Sequence, residues 1–240
     1  MPRFVQFVSL GILLGALAGC STIGRISAGK NTSKTFNIVV VDAGHGGKDS
    51  GAFRRYGPPE KISTLDVAKR LDQKLRESQI RTVMTRNTDV FIPLDERVAI
   101  ENRQKNAIFV SIHFNDSRRR GIHGFETYYH SPAARELAER IQTKLLEIPH
   151  SANRGVHTAN YRVLRNAVYP AVLVECGFLS NRMEGGEARD DEYRELLADK
   201  IAEAIVEQRY GPRVYRAQAQ AAALPPGEGP APTPDTLPDR

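Results

Sequence analysis

The sequence predicts a three-layer α/β domain, with a central, mostly parallel twisted sheet of about six strands and helices on both faces. Three observations carry that expectation. Short β-branched runs alternate with segments of helical periodicity, the pattern of strand and helix units joined by right-handed crossovers. The first run, Ile38-Val39-Val40-Val41, is apolar throughout and reads as a buried strand. Ligand-type residues, His45, His113 and Glu175, stand at or just past the ends of three such runs. In open α/β sheets the loops beyond the strand carboxyl ends converge on one crevice, so parallel neighbouring strands would bring the three together.

The 240-residue chain has room for one such domain with tails. It opens with Arg3, an apolar run over residues 4–17, and Leu17-Ala18-Gly19-Cys20, which resembles a bacterial lipoprotein signal peptide. The run is shorter than the roughly 18–20 residues a spanning helix needs. Residues 1–19 are therefore expected to be a cleaved signal, with Cys20 lipid-modified and anchored in a membrane. Ser21 suits outer-membrane sorting in a two-membrane bacterium, so the expected place is the periplasm, at the outer membrane. Residues 20–36 read as a tether and residues 37–210 as the catalytic domain. With Cys20 acylated, Cys176 has no partner, and no disulfide framework is expected.

After the first strand, Gly44, Gly46 and Gly47 allow a tight turn and close approach to a bound group. Neither G-x-G-x-x-G nor G-x-x-x-x-G-K-[ST] is present, which sets nucleotide binding aside. Tyr56-Gly57-Pro58-Pro59 breaks structure, and Glu60 opens a helix marked by Ile62, Leu65, Ala68, Leu71 and Leu75. A strand over 80–85, a helix over 94–105 and a strand over 107–112 follow, the last ending at His113. Another strand covers 125–129. Ser131 as N-cap and Pro132 at the first helical position then start a helix to about residue 147. Short strands are expected over 161–164 and 171–175, and a closing helix over 192–207 with Leu197, Ile201 and Ile205 on one face. Residues 211–240 turn Ala/Gln-rich and then Pro/Gly-rich, a composition that buries too little apolar surface to order, and read as a disordered tail.

The net charge of +6 is spread along the chain without a basic and aromatic motif, so nucleic acid is not an expected partner. His45, Glu60 and His113 form a His₂Glu set that suits catalytic zinc, because it leaves a fourth position for water. Zinc there would lower the pKa of that water to about 7 and polarise a carbonyl. Glu175, a carboxylate after four apolar residues, is the candidate base, with an arginine-paired buried carboxylate as the alternative. Asp42 reads either as an acceptor for a ligating imidazole or as a turn residue. Asn115 is a candidate substrate contact or loop-orienting residue. His123 and His130 fall on opposite faces of a strand, and with His150 and His157 they read as rim residues. Cys176 reads as a small buried hydrophobe rather than a nucleophile.

The segments 41–52, Glu60-Lys61, 85–89, 94–97, 111–115, 153–156, 161–165 and 173–181 resemble, in order, the zinc-dependent N-acetylmuramoyl-L-alanine amidases. The resemblance spans about residues 37–208. It implies hydrolysis of the amide between the lactyl group of N-acetylmuramic acid and L-alanine of the peptidoglycan stem peptide. It also implies that His45, Glu60 and His113 hold zinc and that Glu175 is the catalytic glutamate. Phe114, Asp116 and Cys176 depart from the residues usual there, which bears on substrate fit rather than on the metal. Peptidoglycan is then the expected partner, with the membrane met through Cys20. Arg118-Arg119-Arg120 is either a solvated loop or a contact for stem-peptide carboxylates. No inserted blocking segment is evident between Tyr129 and Asn153, so an open site in a monomer is expected and no activator is indicated. The alternatives are a non-catalytic peptidoglycan-binding lipoprotein and a zinc peptidase cutting within the stem peptide.

Overall fold

The computed structural model describes residues 30–53, 55–119, 121–212 and 214–215. The expected signal over 1–19, Cys20 with its lipid, Arg120, and the tail beyond residue 215 lie outside the described residues. Strand β1 (Ile38–Ala43) is buried along its whole length because helices cover both faces of the sheet. Its side chains alternate between two cores. Val39 and Val41 point to one with Ile108, Val110, Val172 and Val174, whereas Ile38 and Val40 point to the other with Phe109, Ala171 and Leu173.

The remaining elements are helix α1 (Glu60–Glu77), β2 (Arg81–Met84), α2 (Leu94–Asn102), β3 (Ala107–Asn115), β4 (Phe125–Tyr129), α3 (Arg135–Leu145), β5 (Asn153–Thr158), α4 (Arg162–Arg165), β6 (Ala171–Phe178), α5 (Arg182–Glu187) and α6 (Asp191–Tyr210). Helices α1, α3 and α6 close the larger core and α2 with α4 the smaller, so three layers form as the alternation predicted. The sheet order is β2-β1-β3-β6-β4-β5. Every neighbouring pair is parallel except β4 with β6. From β1 the chain steps to β2 on one side and then to β3 on the other. The crevice at that switch point opens beyond the carboxyl ends of β1 and β3.

Several expectations are corrected. Residues 161–164 are not a strand: Arg162–Arg165 is one helical turn, and the adjacent pair Val163 and Leu164 plugs the smaller core. The sixth strand is instead β5, an edge strand carrying Gly155 and largely exposed, so it lacks the apolar alternation that reveals a strand in sequence. The helix expected from Ser131 begins as a 3₁₀ turn, Pro132–Ala134, before α3. Helix α5 went unread, although Asn181 caps it by accepting from the backbone N–H of Met183 at 2.9 Å. Strands β3 and β6 run on to Asn115 and Phe178, which puts His113 and Glu175 inside strands rather than past their ends.

The domain edges also carry contacts. Lys30 N–H donates to Val168 O at 2.9 Å and Thr32 is buried against Ala107 O, so the last part of the expected tether packs on the domain. At the other end, Val214 and Tyr215 pack against the larger core.

Candidate metal centre and cleft

The turn after β1 closes on itself. Gly46 N–H donates to Asp49 O at 2.9 Å and Asp49 N–H to Gly46 O at 3.1 Å, which folds Asp49 back over His45. His45 Nδ1 lies 2.8 Å from Asp49 Oδ2. The other ring nitrogen, Nε2, is 3.0 Å from Glu60 Oε2. Glu60 Oε1 lies 2.9 Å from His113 Nδ1 and accepts from Phe114 N–H at 3.0 Å. Ala52 N–H donates to Glu60 Oε2 at 2.8 Å, so both carboxylate oxygens are held. Glu60 occupies the first position of α1, where the positive end of the helix favours a carboxylate.

The three candidate ligands therefore meet at one point, with a donor atom of each within 4.8 Å of the others. Two imidazole nitrogens and one carboxylate are the donor set that zinc accepts, and this carboxylate is clamped by the backbone of Ala52 and Phe114, with no lysine or arginine on it among the described residues. The set fits a divalent cation. Burial works to raise the Glu60 carboxyl, but hydrogen bonds from His113 and His45 overcome it and hold the group well below the usual range. Burial works to lower His113, yet the Glu60 carboxylate lifts it to about 9. His45 is raised by the same contact, against its burial.

Glu175 on β6 stands opposite His113 on β3, and on its other side opposite Glu126 on β4. These two carboxylates live in different surroundings. Glu126 accepts from Arg154 Nε at 2.7 Å, Tyr128 O–H at 2.9 Å and Asn115 Nδ2 at 2.8 Å. Glu175 Oε2 is buried and, among the described residues, has no hydrogen-bond partner. Burial pushes Glu175 up to about 7, with Glu60 and Glu126 adding to the rise and His113 opposing it. The arginine partner considered for Glu175 goes to Glu126 instead.

One cleft of about 750 Å³ contains His45, Glu60, His113 and Glu175 on its lining. Phe91, Leu94 and Tyr161 form apolar wall, and Asn115 also lines it. The Asn115 amide is committed at both ends, its Nδ2 to Glu126 and its Oδ1 to Asp116 N–H at 2.8 Å. His123, His130, His150 and His157 are exposed away from the cluster, and Arg118 and Arg119 lie on an exposed loop. Cys176 is buried with its thiol pushed up, as a small core residue should be.

Asp42 does not meet an imidazole. It accepts from Arg97 Nη1 at 2.7 Å, Thr85 O–H at 2.6 Å and Ser111 O–H at 2.6 Å, while Asp49 takes the role toward His45. The i, i+4 spacing within a glycine-rich turn was the signal for Asp49. The glycines, in turn, make room for protein rather than for ligand. A Cβ on Gly44 would stand 2.5 Å from the His113 ring, and one on Gly46 would overlap the Val90 carbonyl. Gly44→Ala is therefore expected to push the His113 ring off Glu60 and to weaken zinc binding by about tenfold or more, measured by chelator competition. Because that contact is a buried pair, the melting temperature of the metal-free protein should fall as well.

Comparison with known proteins agrees with this architecture. Residues 39–207 match the N-acetylmuramoyl-L-alanine amidase family. The chain is 37% identical over 172 residues to the N-acetylmuramoyl-L-alanine amidase LytC of Bacillus subtilis, covering 70% of this chain and 34% of LytC. It thus spans about a third of that relative. Among solved structures, the N-acetylmuramoyl-L-alanine amidase AmiC2 of Nostoc punctiforme superposes with a TM-score of 0.68 at 38% identity, covering 71% of this chain and 95% of that one. The CwlD amidase of Clostridioides difficile, solved in complex with the GerS lipoprotein, gives a TM-score of 0.69 at 29% identity over 72% of this chain and 98% of its own. With the match running from β1 into α6 and enclosing every residue of the cleft cluster, the chain belongs to the N-acetylmuramoyl-L-alanine amidase family.

Proposed function

We propose that this protein is an exported, zinc-dependent cell-wall amidase. It hydrolyses the bond between N-acetylmuramic acid and the L-alanine of the stem peptide, with His45, Glu60 and His113 as zinc ligands and Glu175 as the proton carrier. The observation that carries the reading is the contrast between two neighbouring carboxylates: Glu126 is saturated with donors, while Glu175 is half-buried with its buried Oε2 unpartnered among the described residues beside a His-Glu-His cluster. Carboxyl groups whose surroundings push their pKa values apart divide into structural and acid–base roles.

Bound zinc supplies a Lewis acid that polarises the scissile carbonyl and makes water nucleophilic near neutral pH. The chain's own residues do the rest. Asp49 holds His45 through Nδ1 and thereby fixes which ring nitrogen faces Glu60. Glu175 takes the water proton at a carboxylate oxygen and returns it to the departing alanine nitrogen. The burial that raises its carboxyl above the usual glutamate range suits it to both directions of transfer. Phe91, Leu94 and Tyr161 shield the reacting atoms from bulk water, and Asn115 keeps Glu126, and so the wall beside Glu175, in place. Cys20 as a lipid anchor at the outer membrane belongs to the same proposal, since it would hold the enzyme beside its substrate.

Mass spectrometry of sacculi treated with the purified full-length protein, without added partner, tests the reading. Free stem peptides beginning at L-alanine are expected. Fragments cut between amino acids would establish a peptidase, and binding to sacculi without release would establish a recognition module.

A further inference from the structure

Arg97 is nearly fully buried in α2, and its guanidinium makes four bonds, three of them to the end of β1 and the His45 turn. Nη1 donates to Asp42 Oδ1 at 2.7 Å and to Ala43 O at 2.6 Å. Nη2 donates to His45 O at 2.6 Å, and Nε to Ile92 O at 2.9 Å. Three of the four acceptors are backbone carbonyls: Ala43 O is shared with Arg86 Nε at 2.9 Å, whereas those of His45 and Ile92 have no other donor among the described residues.

His45 needs such a hold. Its φ is 60°, in the left-handed region that strains a residue with a Cβ and persists only where the surroundings enforce it. Asp42 extends the grip to the second imidazole segment, because Ser111, two residues before His113 on β3, donates to Asp42 Oδ2 at 2.6 Å. One buried network thus ties together the backbones that present both rings.

We infer that Arg97 is a positioning residue for the metal centre: its fork fixes the left-handed turn that aims His45 at Glu60 and His113. This rests on the proposed zinc reading. A lysine reaches Asp42 with a point charge but cannot satisfy the carbonyls of Ala43, His45 and Ile92 together, so Arg97→Lys keeps the ion pair and loses the aim.

The experiment measures the zinc dissociation constant by competition with a chromophoric chelator, well below the melting temperature, for the full chain and three variants. Arg97→Lys is expected to bind zinc about 10- to 100-fold more weakly than the parent, the range typical of groups that orient a ligand. Lys144→Gln breaks a buried ion cluster with Glu203 and Glu207 between α3 and α6, far from the cleft in the fold. It should lower the melting temperature and leave zinc affinity unchanged. Asp42→Asn, closer to isosteric, is expected to show a smaller loss of zinc affinity and supplies the result if Arg97→Lys does not fold. Parental affinity in the folded variant, or an equal loss in Lys144→Gln, overturns the inference. Absence of zinc binding by the parent itself would instead overturn the metal reading.

Discussion

Replacing Glu175 with glutamine is expected to lower stem-peptide release from sacculi by about 10²- to 10⁴-fold, the range over which a positioned acid–base group acts. Zinc binding should stay at the parental stoichiometry. Glutamine fills the same volume in β6 between β3 and β4, so the sheet and the His113 segment opposite it keep their register. What it cannot do is take a proton from water. The substitution should also leave a signature in stability. Burial raises the Glu175 carboxyl to about 7, so the folded protein binds its proton more tightly than the unfolded chain does. Stability is therefore lost as pH rises from the ordinary glutamate range through about 7, and the variant should lack that loss. Thermal melts of zinc-free parent and variant at pH 5 and pH 8 check the sign. A variant that keeps parental turnover would end Glu175's assignment.

Removing zinc with a chelator should abolish turnover and adding zinc should restore it, while His113→Ala should neither bind the ion stoichiometrically nor respond to it. His113 Nδ1 sits on a carboxylate that is nearly fully buried, and breaking such a pair costs about 3–5 kcal/mol because the charge left behind stays out of water. The pH dependence of the zinc-free protein follows from the same contacts. The raised His113 contributes stability that is full below the unfolded histidine pKa near 6.5 and fades as pH rises through about 9. The depressed Glu60 contributes stability present above the unfolded glutamate pKa near 4.5 and lost as pH falls toward its folded value. The zinc-free cluster is thus most stabilising between about 4.5 and 6.5. Zinc must displace the proton that His113 holds near neutrality, so calorimetry at pH 7 in buffers of different ionisation heat should register proton release on binding.

These expectations draw unequally on sequence and on fold. Strands β1, β3 and β6 were legible because a sheet covered on both faces demands near-continuous apolar runs, and only those runs deliver His45, His113 and Glu175 to one end. The start of α1 was legible as well, since a Pro-Pro break followed by helical spacing puts Glu60 in the first turn. Edge strand β5 was not, because a strand with little to bury has no hydrophobic period to read. Val163 and Leu164 misled for the opposite reason: two adjacent buried residues fit a helical turn and a short strand equally well.

Taken alone, the order of residues determined the α/β class, the gathering of two imidazoles and two carboxylates, and the family to which they point. Periodicity and position along the chain suffice for that, because burial is repeated locally in every turn or strand. Only the tertiary structure decided that Asp49 rather than Asp42 serves His45, that Glu126 takes the arginine while Glu175 Oε2 has no partner among the described residues, and that Arg97 grips the turn from another helix. Each of those outcomes is a competition among polar groups for a few acceptors, and distance in space settles it.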